Sequence, residues 1–212
     1  LIFNFLFKNS YISQMLSLSL FILMFSIPSF AQEALNEPEQ ENVWTVNVEK
    51  NGETVDKWVI VASVNGKVTY GDRFTVRIPI RDLDECTVGD FVTTFMTIKI
   101  DSEEKKRFIE GRTLTAKLNQ AKILAKAMFA IPIFRSHLVY LSIGWEDLEE
   151  IKEYFHGLDE ITLTLTGIED AEGSTIIASN YFDIPTNIYS TKGLNSALDR
   201  AKAECERLVS NL

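Results

Sequence analysis

From Val43 onward the chain is written mostly at a period of two. Trp44, Val46 and Val48 alternate with Thr45, Asn47 and Glu49, which predicts a strand with one buried face. Asn51-Gly52 marks a turn, and Lys57–Val64 returns as a second strand. Asn65-Gly66 and Gly71-Asp72 are further turn signals. They bracket an expected short strand at Lys67–Tyr70 and lead into Phe74–Ile80, where Pro79 calls for an edge or a strand end. Alternation over Asp90–Ile100, Phe108–Asn119, Leu138–Ser142, Ile161–Thr166 and Thr175–Phe182 predicts five more strands. Asp101–Lys106 reads as a charged connection between two of them.

Helical spacing enters in three places. In Trp145–His156 the acids Glu146, Asp147, Glu149 and Glu150 favour the positive end of a short helix. Leu148, Ile151 and Phe155 form its buried stripe, and Gly157 ends it. From residue 193 to 209, Leu194, Ala197, Leu198, Ala201, Cys205 and Leu208 fall on one stripe of a terminal helix. Residues 120–130 satisfy both periods: Ile123, Ala125, Ala127 and Phe129 alternate, yet the residue types favour helix. The sum is a mainly β domain over 43–212. An antiparallel sandwich or partly open barrel is expected, with one short helix and a C-terminal helix packed on it.

The first 42 residues have another character. Met15–Ile27 is apolar, Pro28 breaks the run, and Ser29-Phe30-Ala31 supplies small residues for cleavage before Gln32. Residues 1–31 therefore read as a signal peptide with a single basic residue, Lys8, ahead of the run. Residues 32–42, with Glu33, Glu37, Glu39 and Glu41, read as an acidic flexible linker. The expected location is the periplasm or the exterior, with no stable membrane span after cleavage. Export meets an oxidising compartment, and the chain has two cysteines. Cys86 and Cys205 are expected to form a bridge that pins the terminal helix onto the β body.

A formal net charge of −9 repels phosphate backbones and argues against nucleic-acid binding. Catalytic and metal-binding patterns are weak. Neither cysteine belongs to a Cys-x-x-Cys pair, no Gly-rich phosphate loop occurs, and Ser136 and Ser142 lack the Gly-x-Ser-x-Gly turn. Zinc would need His137 and His156 together with a carboxylate, and their spacing does not provide this. Asp82, Asp84 and Glu85 share the loop before Cys86, but their spacing is not that of a calcium loop. That loop is instead a candidate interaction loop. No catalytic, cofactor-binding or metal-binding residue is assigned, and no cofactor is expected.

The order of elements resembles the invasion-associated locus B proteins, small exported proteins of Gram-negative bacteria. The resemblance rests on Trp44-Thr45-Val46 and on Leu148-Glu149-Glu150-Ile151 through Thr166-Gly167. It rests above all on Tyr181-Phe182-Asp183-Ile184 through Lys192-Gly193-Leu194-Asn195-Ser196-Ala197-Leu198 to Cys205. The family commonly has a cysteine soon after its first Trp. Here Trp58–Ser63 holds none, and Cys86 takes that part. The resemblance implies an envelope protein and no catalytic residues. The expected function is a non-enzymatic exported domain that binds another envelope protein. The alternatives are a carrier of a small apolar ligand, an envelope hydrolase, or an inhibitor of secreted enzymes.

Overall fold

In a computed structural model, residues 43–212 are described except 51, 70 and 171, so the leader and the linker lie outside the described residues. The strands are β1 (Thr45–Lys50), β2 (Trp58–Asn65), β3 (Arg73–Pro79), β4 (Val88–Thr97) and β5 (Thr113–Leu118). They continue with β6 (Ala121–Ile133), β7 (Ser136–Asp147), β8 (Glu160–Glu169), β9 (Thr175–Ile177) and β10 (Thr186–Ser190). The α-helices are α1 (Glu103–Ile109), α2 (Leu148–Tyr154) and α3 (Leu194–Val209).

All ten strands belong to one antiparallel sheet in the order β1-β2-β3-β4-β7-β6-β5-β8-β10, with β9 on the flank of β8. The sheet does not close by strand pairing. Its two ends are joined by a single bridge, Gly66 to Tyr189, and Lys67 N–H donates to the Ile188 carbonyl at 2.8 Å. Trp44 Nε1–H adds a buried bond to the Ser190 carbonyl at 2.7 Å. This is the expected mainly β class, in the form of a coiled, partly open sheet.

Alternation puts Phe74, Val76, Ile78, Phe95, Leu141 and Leu163 on the inner face, in one core cluster with the buried stripe of α3. That stripe is Leu194, Ala197, Leu198, Ala201 and Cys205, the pattern read from spacing. Cys205 is bonded to Cys86 across a sequence separation of 119, with Cα atoms 5.7 Å apart. Lys152 Nζ, on α2, meets Asp199 Oδ1 of α3 at 2.5 Å, so the two helices are tied by charge as well.

The seam between the sheet ends is built on buried polar groups. Asp72 Oδ1 accepts from Met96 N–H at 2.6 Å, and its Oδ2 accepts from Asn187 Nδ2 at 2.9 Å. Asn187 Oδ1 accepts from Val68 N–H and Ile188 N–H at 3.1 and 2.8 Å. Gly66 lets the backbone come this close, because a Cβ there would lie 2.4 Å from Asn187 Nδ2. Burial holds the Asp72 carboxyl up at about 6 against an ordinary 3.8.

Several expectations are corrected. Residues 120–130 are strand, within β6, which continues through Pro132. Proline fits there because β5 pairs only with Ala121–Lys126, leaving the later part of β6 with a free edge. The carboxylate of Glu110 covers part of that edge by accepting from Ala130 N–H at 3.0 Å. The charged connection at 101–106 runs into α1, and the strand expected from Phe108 starts only at Thr113. Ser102 caps α1 by accepting from Lys105 N–H at 3.3 Å. Lys67–Thr69 form no strand, since their backbone meets β10 by one bond rather than a ladder.

The helix expected at 145–156 is shorter. Trp145–Asp147 extend β7, and Asp147 caps α2 by accepting from Glu149 N–H at 2.8 Å. Thr175–Phe182 is strand only through Ile177 and then turns. The chain returns as β10, in which Asn187 and Tyr189 are buried. With α1, the domain therefore has two short α-helices besides the terminal one.

Candidate functional site

The outer face of the sheet carries the most unusual surface. By register, Arg73, Thr75 and Arg77 of β3 stand beside Val92 and Thr94 of β4. These stand beside Leu138, Tyr140 and Ser142 of β7, and then Phe129 and Ile131 of β6. All of these but Ser142 line a shallow cavity of about 420 Å³, which Glu49 of β1 also lines. Val92 and Thr94 are buried although they point away from the core, so the floor of this face is already screened from water. Phe129 and Ile131 remain 41% and 42% exposed on its wall. The Phe129 and Tyr140 rings lie 4.6 Å apart between centroids and tilt against each other.

A β-bulge creates this arrangement. The register of β6 against β7 shifts between Ala127 and Phe129, so Ala127 points inward and Phe129 outward. Simple alternation places both on one face. A second shift, between Phe91 and Val92, adjusts β4 against β7.

The face also carries charge. Arg73 and Arg77 form no ion pair among the described residues, on a chain that carries −9 overall. Asp90, opposite Arg77, is buried and accepts from Ser142 Oγ at 2.8 Å. Desolvation raises its carboxyl above the usual range, against the pull of the Ser142 bond and of Arg77. The hollow thus holds two guanidiniums and the Glu49 carboxylate, with Asp90 beside Arg77.

At the end of this face the β6–β7 hairpin turns at Phe134-Arg135. Phe134 has φ +53, the left-handed region that suits glycine or asparagine, and its side chain is 104% exposed. The corresponding residue of the β5–β6 turn is Asn119, at φ +54. An exposed aromatic held in a strained backbone contributes nothing to the core. Next to it, Met96 and Ile98 line a further shallow cavity of about 650 Å³ with Phe134 and Arg135.

The candidate loop before Cys86 is largely occupied with its own structure. Asp82 Oδ1 accepts from Glu85 N–H at 3.0 Å, and Glu85 lies 3.9 Å from Arg81. Asp84 opens the single turn of 3-10 helix that positions Cys86 for its bond to α3. His137 is the second residue of β7, whereas His156 follows α2 beyond the other end of that strand. Neither imidazole bonds a carboxylate among the described residues. Among those residues no three His, Cys, Asp or Glu side chains converge as a metal site.

Phe129, Tyr140 and Phe134 are the residues that sequence reasoning did not single out. Leu138 and Tyr140 were legible as one face of a strand, but the bulge that brings Phe129 beside them carries no glycine to announce it. Comparison of the chain with protein-family models, with curated proteins and with solved structures gave no match.

Proposed function

We propose that this is a non-enzymatic, exported binding domain that holds another envelope protein on the outer face of β3, β4, β7 and β6. The observation that carries the reading is a cavity lined with Phe129, Ile131 and Tyr140 beside two guanidiniums, which outnumber its one carboxylate, Glu49, and have no ion pair among the described residues. Aromatic rings and arginines in a partly screened hollow are the chemistry of interface hot spots. The partner segment this face suits carries carboxylates next to apolar side chains, so that charge and surface match together. Phe134 stands at the end of the hollow as an anchor for the same segment.

Export is part of the proposal. The leader pattern of residues 1–31, the Cys86–Cys205 bond and the resemblance to the invasion-associated locus B proteins support it. No helix among the described residues is long and apolar enough to cross a membrane.

The test is site-specific photocrosslinking in the native cell. A benzophenone amino acid at position 129 is expected to give one discrete protein adduct, and the same probe at Lys202 on the outside of α3 none. The double substitution R73E/R77E should remove the adduct while leaving the fold intact. An adduct that is indifferent to R73E/R77E, or a probe at 129 that never crosslinks, would reject this face as the binding surface.

A further inference from the structure

A second cavity lies under α2, on residues separate from those of the outer face, and its chemistry differs. The end of β5, the start of β6, the distal part of β7 and α2 enclose about 550 Å³. That is within the roughly 300–1,000 Å³ typical of small-ligand sites. Its floor is the end of the hydrophobic core, where Leu118, Phe91, Ile151 and Phe155 are buried against the body of the sheet. One wall stays open at Gly144. This residue has φ +145, and a Cβ built there would meet nothing within 4 Å.

The polar groups of this cavity have one sign. Glu146 and Glu150 line it, and no Lys, Arg or His does. Neither glutamate has an ion pair among the described residues. The basic residue of α2, Lys152, is already taken by Glu149 at 2.6 Å and Asp199 at 2.5 Å. A carboxylate-headed amphiphile would therefore enter against two unneutralised charges. A cationic head would be attracted by both while its tail covers the apolar floor.

We infer that the cavity between α2, the β5–β6 hairpin and β7 binds a small cationic amphiphile. Its apolar body sits on Leu118, Ile123, Ile151 and Phe155, and its ammonium or amidinium group faces Glu146 and Glu150. The site is independent of the partner-binding face, because the two cavities share no residue.

The experiment is titration calorimetry at low ionic strength with decyltrimethylammonium and with decanoate, each below its micelle concentration. Decyltrimethylammonium is expected to bind with one-to-one stoichiometry, about tenfold more tightly than decanoate, the effect of two partly solvated carboxylates. E146Q/E150Q should erase that preference with little change in decanoate binding. A121W, which projects a ring into the mouth of the cavity, should weaken both ligands, and R73E/R77E should affect neither. Equal affinity for the two amphiphiles, a preference that survives E146Q/E150Q, or no saturable binding to the unaltered protein would each overturn the inference. Failure here leaves the outer-face reading untouched, since that is read from adducts at position 129.

Discussion

Replacing Asp72 by Asn isolates the electrostatics of the seam that joins the two ends of the sheet. The carboxyl is fully buried, and its two oxygens accept from Met96 N–H and from Asn187 Nδ2. Those bonds favour the charged form, but desolvation outweighs them and Asp183 adds repulsion, so the group titrates at about 6 rather than 3.8. The sign follows from linkage. Below the unfolded value of 3.8 both states hold the proton and the seam carries no penalty. Between that value and about 6 the unfolded chain releases its proton while the native one keeps it. Stability from this group is therefore lost as the pH rises through about 6. The full loss is about 3 kcal/mol, of which about 2 kcal/mol falls between roughly pH 4.5 and pH 8. Asp72→Asn removes the titration but turns one acceptor into a donor. It then faces either Met96 N–H or Asn187 Nδ2, at about 1–3 kcal/mol. Asn187 cannot flip to relieve this without giving up its bonds from Val68 and Ile188. Urea unfolding of both proteins across the pH range gives the difference in stability, in which the other titrating groups cancel. Wild type should be the more stable at low pH and should lose about 2 kcal/mol of that lead by about pH 8. A lead that is flat with pH, or that grows as pH rises, refutes the reasoning.

Three further outcomes are expected. Cys205→Ala opens a bond that spans 119 residues and should lower stability by up to about 5 kcal/mol. An unchanged melting temperature under non-reducing conditions contradicts this. Phe134→Gly relieves a left-handed backbone and should stabilise the fold by about 1 kcal/mol while weakening the adduct at position 129. A loss of stability with an unchanged adduct would show that Phe134 serves the fold. Gly66→Ala drives a methyl group into Asn187 and should destabilise by about 2 kcal/mol. Hydrogen exchange at the Lys67 and Ile188 amides should accelerate first, and uniform exchange across the domain would contradict a local effect.

Much of this architecture is legible without coordinates. The stripe of α3, the pairing of Cys86 with Cys205 and the alternation in β1, β2, β3 and β8 are all local or combinatorially small problems. What is lost is whatever depends on a break in phase. Ile123, Ala125, Ala127 and Phe129 look like one face, but the shift after Ala127 turns Phe129 outward, toward Tyr140. β10 is hidden because Asn187 and Tyr189 are polar-looking residues whose burial depends on Asp72 and Thr93, far away in the chain. The ambiguity of 120–130 is resolved by neighbours: β5 on one side and β7 on the other supply a ladder that no propensity for helix outweighs. The loop at Asp82, Asp84 and Glu85 is closed by a local bond from Glu85 N–H to Asp82, and its tie to α3 through Cys86 is tertiary.

The spacing of the two cysteines also sets a clock during synthesis. Cys86 leaves the ribosome 119 residues ahead of Cys205. That is an interval of about 6–24 s at ~5–20 residues per second. Throughout it the residues made from Leu1 onward offer one thiol, that of Cys86. Within these residues there is no second pairing to choose, and a wrong bond is one with another molecule. The face of β1 and β2 that α3 covers stays without that cover for the same interval, because α3 follows all ten strands in the chain. Over that interval the hazard from Cys86 is thus intermolecular.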